Sequence, residues 1–451
     1  MPAMSVAKYV RRALASGALA LLLTSASVAD KSALSYYDEA MDEGLYGEAE
    51  AIVKQALQDA IANGVYNDIA TVSLLVRLAR AQLRQGNHDA ALQNYELAVD
   101  VVEENADRLD LALVGPLSGV ADSYLAAARP DLALPYIERV LHVLHVNEGP
   151  HSIGQIASLA LLTSAYERMG ELDKALDTVE RSYFVSQRQH GKQSTAIVPA
   201  MLEKGRLLGE LGRRRDEREV YTRARQLIVA AGGDASPLLV DVQLRQGESY
   251  QDEYFATRLM AKDETELPDE QLLRSAEASF ELAQAAAENL DAGKSFRALL
   301  DVHLSLGDFY TLRDAFGSAR KHYQDALRLI ATPGADSGLL AQEFDTMLPL
   351  LDVSPDLSVA SGDDASEGGV PSRYDTGLVV VQFTITRRGR VGDIGLVEIN
   401  PARNAAIETE VRAALQKMVF RPRYENGFAV DWPGRTLRYE YPIPRPSEAD
   451  N

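Results

Sequence analysis

The chain has 451 residues and carries 66 acidic and 46 basic side chains, for a formal net charge of −20. Its hydrophobic share of 46% and charged share of 25% are those of a folded globular protein, and the acidic excess argues against nucleic-acid binding. Because the chain has no cysteine, disulfides, thiolate metal sites, cysteine nucleophiles and lipid attachment at a lipobox cysteine are excluded.

The first segment, residues 1–29, is predicted to be a signal peptide. Lys8, Arg11 and Arg12 form its charged beginning, and the small residues at 27–29 supply a cleavage site for signal peptidase. The apolar run up to the cleavage site has 17 residues, fewer than the roughly 20 that cross a bilayer. We therefore expect cleavage and a periplasmic protein; a retained membrane anchor is the alternative.

A repeat of 42 residues organises the predicted helices of residues 30–331. In each unit a turn precedes a small marker residue, and the positions four and seven residues after the marker are mostly apolar. This spacing predicts one buried face of an amphipathic helix, and the turn predicts a reversal between two antiparallel helices. The markers at this spacing are Ala49, Ala91, Ala133 and Ala175.

Three features depart from the regular pattern. Glu217 occupies the fifth marker position, and Pro130 follows a turn that has no glycine. An insertion near 251–270 precedes two further units, whose markers Ala276 and Ala319 lie 43 residues apart. With these units the pattern predicts about seven helix pairs.

The pattern resembles the tetratricopeptide repeat in a longer form of about 42 residues. The resemblance implies stacked helix pairs whose concave surface, lined by the first helix of each pair, binds a protein or peptide. It covers residues 30–331, and its clearest residues in two units are Leu162, Tyr166, Gly170, Ala175 and Leu176, and Leu306, Gly307, Tyr310, Ala319 and Tyr323.

Arg77, Arg80 and Arg84, on the first helix of the second pair, are the candidate partner-binding residues. Their i, i+3, i+7 spacing places them on one helix face, which we expect to line the concave surface. Guanidinium groups can bind carboxylates through two hydrogen bonds each, so we predict that they hold an acidic or C-terminal peptide. A solvated face with partners at i, i+4 is the alternative interpretation.

A small α+β module of order β-β-α-β is predicted at residues 373–446, followed by a tail at 447–451. It is preceded by a terminal helix and a flexible acidic linker at 332–372, where Asp, Ser, Gly and Pro are frequent. Two β-branched segments predict a hairpin, and a third predicts the closing strand. The helix between them is predicted from four apolar residues on one face, Ile407, Val411, Leu415 and Met418.

This module resembles the C-terminal domain of TonB. The resemblance implies that its last strand, residues 435–441, pairs with a segment of an outer-membrane protein by strand addition. The implied contact residues on that strand are Arg435, Leu437, Tyr439 and Tyr441. The motifs that carry the resemblance are Gly389-Arg390-Val391, Phe420-Arg421-Pro422 and Asn426-Gly427.

Charge is divided unevenly between the two parts. Residues 373–445 carry a net charge of +4, so the remainder is strongly acidic. An acidic helical region can fold back on its own basic module or recruit a basic partner. A charge that serves only solubility is the alternative.

No catalytic residue, metal site or cofactor is predicted. His142, His145 and His151 lie close in sequence, but no partnering carboxylate motif accompanies them, so we interpret them as surface histidines. Residues 293–295, Gly-Lys-Ser, resemble the end of a phosphate loop without its earlier glycine or preceding strand. Neither a Gly-x-Ser-x-Gly elbow nor a His-Glu-x-x-His pair is present.

These observations favour a non-catalytic periplasmic adaptor that binds protein partners of the cell envelope through both parts of the chain, with an outer-membrane protein as one candidate partner. The alternative is a TonB-type energy transducer for uptake through outer-membrane receptors, which requires the N-terminal segment to stay as an anchor. An enzyme is the third reading, and it requires a convergent polar pocket.

Overall fold

The computed structural model describes residues 31–62, 69–332, 338–355, 357, 374–400 and 405–444. The predicted signal peptide lies outside these residues, as do residues 333–337, 356 and 358–372 of the segment predicted to hold the terminal helix and linker. Within the described ranges, no helix combines the length and the apolar character needed to cross a lipid bilayer. The chain divides into two compact units, the first ending at Val220 and the second beginning at Tyr221.

The first unit consists of antiparallel helix pairs joined by short turns. Short 3₁₀ turns precede two of the helices, at Leu111–Leu113 and Thr195–Ile197. The helices are α1 Lys31–Asp42, α2 Tyr46–Ala62, α3 Ile69–Arg84, α4 His88–Asn105, α5 Val114–Ala126, α6 Pro130–Glu148, α7 Gln155–Arg168, α8 Leu172–His190, α9 Val198–Glu210 and the first part of α10 Arg214–Ala230.

The turns that separate the two helices of a pair share one backbone conformation. Gly44, Gly86 and Gly170 have φ values of 76°, 81° and 74°, the left-handed region that glycine adopts without a steric cost. In the third pair Ala128 takes the same conformation with φ 55°, and Pro130 begins the next helix at a position where its missing N–H is not needed. The turn without glycine therefore keeps the geometry of its neighbours.

The predicted marker residues lie in the core. Ala49, Ala91, Ala133 and Ala175 are fully buried, as are nearly all of the apolar residues that follow them at the predicted spacing. Aromatic members of this face pack where a facing helix has glycine: a Cβ at Gly119 would overlap the ring of Tyr95. The small residue therefore sets how closely two neighbouring helices approach.

The second unit continues with helix pairs and ends in a small sheet. The predicted insertion lengthens a helix and adds a 3₁₀ turn, Glu264–Glu266, before the next one. Tyr323 packs against Gly307 as Tyr95 does against Gly119. After α10, the helices are α11 Pro237–Met260, α12 Glu270–Glu288, α13 Ala292–Leu312, α14 Phe316–Ile330 and α15 Leu339–Phe344.

The C-terminal module has a three-stranded antiparallel sheet with a helix packed on one face. Its elements are β1 Pro349–Leu351, β2 Tyr374–Ile385, β3 Val391–Asn400, α16 Ala405–Lys417, β4 Val419–Phe420, β5 Arg423–Glu425, β6 Phe428–Val430 and β7 Trp432–Pro444. β2 lies in the centre of the sheet, β3 and β7 pair with it on either side, and α16 covers the sheet through the buried side chains of Ile407, Val411 and Leu415. Four short strands that were not predicted from the sequence pair as β1 with β4 and β5 with β6.

The fold class predicted from the sequence is confirmed: the chain is mostly α, with tetratricopeptide-like helix pairs followed by a small α+β module. Within the second unit the module packs directly against α13, α14 and α15. This contact was not predicted from the sequence.

Candidate functional site

The predicted arginine face lies on α3, beside the buried Tyr37 of α1. The guanidinium of Arg77 lies 5.9 Å from the centre of the Tyr37 ring, and the Tyr37 hydroxyl donates a hydrogen bond of 3.1 Å to the backbone oxygen of Arg77. Arg77 is half-buried, whereas Arg80 and Arg84 are exposed. The structure therefore holds the first of the three arginines against an aromatic ring and leaves the other two open to solvent.

Two buried tyrosines, Tyr37 and Tyr95, lie next to these arginines. Burial raises the pKa of Tyr95 to about 12, and the positive charge of Arg80 acts against that rise. Burial likewise raises the pKa of Tyr37, with Arg80 and Arg77 opposing it. Among the described residues, no carboxylate forms an ion pair with Arg77, Arg80 or Arg84. Arg77 also donates a 3.4 Å hydrogen bond to the backbone oxygen of Ser73, four residues earlier on the same helix.

The predicted edge strand β7 lies at an edge of the sheet among the described residues, where the strand order is β3-β2-β7. Its predicted contact residues face inward. Leu437 and Tyr439 pack on the module core, and the Tyr441 hydroxyl donates a 3.0 Å hydrogen bond to the backbone oxygen of Asn400. Arg435 stacks over Trp432 at 4.6 Å. What this strand offers a partner is therefore its backbone and its other face, which carries the exposed Thr436, Arg438 and Glu440.

Arg421, from the predicted Phe-Arg-Pro motif, is the centre of the contact between the module and the last helix pair. Its guanidinium donates to both carboxylate oxygens of Asp308 on α13, at 2.9 and 2.6 Å, and to Glu343 on α15 at 2.9 Å. Burial alone would lower the pKa of Arg421, but the Asp308 carboxylate outweighs it and raises the pKa. A bidentate pair of this kind fixes both position and orientation.

Aromatic and charged contacts surround Arg421. The Tyr323 hydroxyl donates to Asp308 at 2.7 Å, and the Tyr323 ring lies 5.5 Å from that of Tyr424 in the module. Arg390 donates to Asp314 at 3.0 Å, and Arg423 donates to Asp345 at 2.9 Å. The basic module therefore meets acidic residues of the preceding helices, as one reading of the charge distribution had proposed.

A second acidic region lies on α11. The carboxylate of Glu248 stays open to solvent but has protein on several sides, which removes part of its hydration and raises its pKa to about 7. The charges of Asp252, Asp241 and Asp308 act in the same direction, and Arg245 opposes them. This carboxyl therefore exchanges its proton near neutral pH.

The histidines singled out in the sequence do not come together. His142 and His145 are exposed on α6, and His151 packs edge-on against Phe184 at 5.1 Å. The Gly-Lys-Ser segment at 293–295 lies in the first turn of α13, directly after another helix, which is not the context of a phosphate loop.

One group was not predicted from the sequence: His303 on α13 lies close to His322 and Asp325 on α14. Burial lowers the pKa of His322 to about 4 and lowers that of His303 as well, so both imidazoles are neutral at pH 7. The signal in the sequence was available: His322 and Asp325 are spaced i, i+3 on one helix face, one residue before and two after the inward-facing Tyr323. Their partner on the other helix became clear only once the two helices were paired.

No family model matches the chain, and no curated protein matches it significantly. Among solved structures, the chain is 16% identical to kinesin light chain TPR-like repeats of Podosopora anserina, with a TM-score of 0.40, over 45% of this chain and 95% of that one. It is 20% identical to BtubC (BKLC) from P. vanneervenii, with a TM-score of 0.40, over 58% and 89% of the two chains.

A third similarity is to the apo form of the quorum sensor NprR from B. thuringiensis, with 13% identity, a TM-score of 0.42, and coverage of 66% of this chain and 76% of that one. Since all three TM-scores lie below 0.5, these similarities assign neither a partner nor an activity to this chain.

Proposed function

We propose that this protein is a non-catalytic adaptor of the bacterial cell envelope, which binds protein partners through its helix pairs and through its TonB-like C-terminal module. The single observation that carries the proposal is the arginine face of α3. Arg77, Arg80 and Arg84 have no carboxylate partner among the described residues, in a chain whose net charge is −20. A partner that supplies carboxylates would complete these contacts.

The helical part suits binding better than chemistry. Stacked helix pairs present long surfaces with many shallow contacts, which fit an extended or helical peptide. The polar groups that the structure gathers most closely, around Arg421, are bonded to one another and hold the fold together. We therefore assign recognition of a polypeptide, and not turnover of a substrate, to this chain.

The test of the arginine face is a triple charge reversal, Arg77→Glu, Arg80→Glu and Arg84→Glu, in the full chain. The matched control reverses three arginines elsewhere in the first unit that are exposed, Arg108→Glu, Arg129→Glu and Arg188→Glu, with the same change in charge. In affinity capture from a periplasmic extract, we expect at least one protein to bind the wild type and the control but not the α3 variant. Equal capture by all three proteins would remove the arginine face from the proposal.

The module would supply the second contact through the free edge of β7. Its position at the sheet edge supports strand addition, in which an extended segment of a partner pairs with the exposed backbone. A photo-crosslinking side chain at Arg438, on the exposed face of β7, should label an outer-membrane protein in intact cells. The same group at the exposed Val397, on the opposite edge strand β3, is the control and should give no such product.

Location separates the adaptor from an energy transducer. The adaptor requires cleavage after residue 29, so N-terminal sequencing of the exported protein should begin at Asp30. A chain that keeps its first residues and stays in the inner membrane would favour the TonB-type transducer, which the resemblance of the module supports.

A further inference from the structure

His303, His322 and Asp325 bring three metal-ligating side chains together across the last helix pair. His303 comes from α13, while His322 and Asp325 are three residues apart on α14 and therefore lie on the same helix face. The two Nδ1 atoms are 3.2 Å apart, and one ligand atom from each of the three residues lies within 4.8 Å of the other two.

We propose that these three side chains form a binding site for a Zn²⁺ ion, with a water molecule as the fourth ligand. Zinc binds histidine nitrogen at about 2.0–2.1 Å in a tetrahedral arrangement, which places two ligand nitrogens roughly 3.3 Å apart. The separation of the two imidazole nitrogens, 3.2 Å, already matches that edge. The Asp325 carboxylate, within 4.8 Å of the histidine ligand atoms, would supply the third corner of the tetrahedron.

The surroundings hold the imidazoles and leave the carboxylate mobile. The ring of His322 stacks on Tyr310 with centres 5.6 Å apart and an interplanar angle of 18°, and the Tyr310 hydroxyl is in turn bonded to Glu277 at 2.8 Å. Asp325 forms an ion pair with Arg328, whose side chain is 74% exposed. Because Arg328 can move into water at little cost, Asp325 can exchange that partner for a cation.

Charges on α12 and α14 bear on a bound cation. Glu288 on α12 adds to the negative charge of Asp325, whereas Lys321 and Arg328 on α14 oppose a cation. His322 is nearly buried, and His303 and Asp325 are half-buried, so one side of the group faces solvent and can admit a water ligand. This arrangement resembles an open site with three protein ligands more than a closed structural site.

A hydrogen bond between the two imidazoles is the competing account of the short distance. One Nδ1–H can donate to the other Nδ1, and that contact needs neither a metal nor Asp325. The two accounts therefore differ in their dependence on the carboxylate. A zinc site loses affinity when Asp325 is made neutral, whereas a hydrogen-bonded pair of histidines is indifferent to that change.

The experiment uses the full-length protein after removal of metal with a chelator. Zn²⁺ binding is measured by calorimetry, and Co²⁺ is added separately because its visible absorption distinguishes tetrahedral from octahedral coordination. We expect one Zn²⁺ per chain, a tetrahedral Co²⁺ spectrum and a higher thermal unfolding midpoint with Zn²⁺. Asp325→Asn should weaken Zn²⁺ binding by about 10-fold or more, and His303→Gln with His322→Gln should abolish it.

The matched control is His142→Gln with His145→Gln, which removes two exposed histidines spaced i, i+3 on α6 and should leave binding unchanged. Circular dichroism of each variant verifies that it is folded, and Asp325→Asn, at a half-buried surface position, keeps the test valid if the double histidine variant does not fold. The proposal is overturned if the wild type binds no Zn²⁺, if Co²⁺ stays octahedral, or if Asp325→Asn binds as tightly as the wild type.

Discussion

Two arginine sites in this protein use the same chemistry in opposite ways. In the second unit, Arg421 is buried and its guanidinium is bonded to Asp308 and Glu343 of the same chain. In the first unit, Arg80 and Arg84 are exposed, and Arg77 lies over the ring of Tyr37. None of the three pairs with a carboxylate in the described part of the chain. One site is filled by the chain itself, and the other is open.

The difference separates structure from recognition. A buried arginine requires partners, because an unpaired charge in the protein interior is strongly unfavourable. An exposed arginine requires no partner, so removing it changes the unfolding free energy little and weakens only the binding of a partner that it contacts. Variants at the buried site should therefore lower stability, whereas variants at the exposed site should weaken binding.

The largest effect is expected at the filled site. Arg421→Met leaves the half-buried Asp308 without its cation and Glu343 with only the more distant Arg297 at 3.8 Å, and we expect the second unit to lose about 3–5 kcal/mol of unfolding free energy. Chemical denaturation measures this loss of unfolding free energy. Arg423→Met removes a half-exposed partner of Asp345 and serves as the control, with an expected loss of about 0–1 kcal/mol.

Adding Asp308→Asn to Arg421→Met should restore part of that loss, because the double variant no longer leaves that carboxylate unpaired. A loss below about 1 kcal/mol in Arg421→Met would mean that the pair is dispensable and that apolar packing alone seats the module.

The next effect concerns the close helix contacts of the first unit. Gly119→Ala places a methyl group where the Tyr95 ring lies, and we expect a loss of about 1–3 kcal/mol. Gly115→Ala, on the same helix, meets nothing closer than 4.0 Å, and the higher helix propensity of alanine should leave stability unchanged or slightly raised. If the two variants unfold at the same denaturant concentration, close packing at Gly119 is not what spaces these helices.

Much of the helical part could be predicted because its contacts are local and repeat. The 42-residue spacing predicted which alanines lie in the core. The exception, Glu217, has a local cause. Glu217 is buried at a marker position, bonded to Arg214 at 3.0 Å, and the missing Cβ of Gly209 leaves room for its carboxylate. All three residues lie within nine positions of one another.

The rest depended on contacts between distant residues. Asp308 and Arg421 are 113 residues apart, and no periodic pattern links them. Pro349 of the short strand β1 pairs with Phe420 of β4, and His303 contacts His322 only when α13 and α14 are aligned. Side chains alternate between the two faces of a strand, so the shared inward face of Leu437, Tyr439 and Tyr441 could have been predicted from their spacing. The resemblance to TonB implied only that the strand as a whole contacts a partner.

A smaller effect depends on pH. The pKa of Glu248 rises from 4.5 to about 7 on folding, so its carboxyl favours the folded state below pH 4.5, and this contribution is lost as the pH rises through 7. Glu248→Gln removes the dependence and should be more stable than the wild type at pH 8 by about 1 kcal/mol after solvent screening is allowed for, with little gain at pH 5. Thermal unfolding at pH 5 and pH 8 measures the difference.

Glu253→Gln, on the same helix with the same change in charge, is the control. If Glu248→Gln gains the same stability at both pH values, the pKa assigned to Glu248 is contradicted.

The smallest effect on stability is expected at the open site, and it completes the comparison. Arg80→Gln with Arg84→Gln removes two exposed guanidinium groups that pair with no carboxylate among the described residues, so the unfolding free energy should stay within about 0.5 kcal/mol of the wild type. If the same variant loses a captured partner, the loss belongs to recognition, because the fold is intact. A destabilisation above about 1.5 kcal/mol would instead show that these arginines hold the first unit together, as Arg421 holds the second, and the distinction between an open and a filled site would fail.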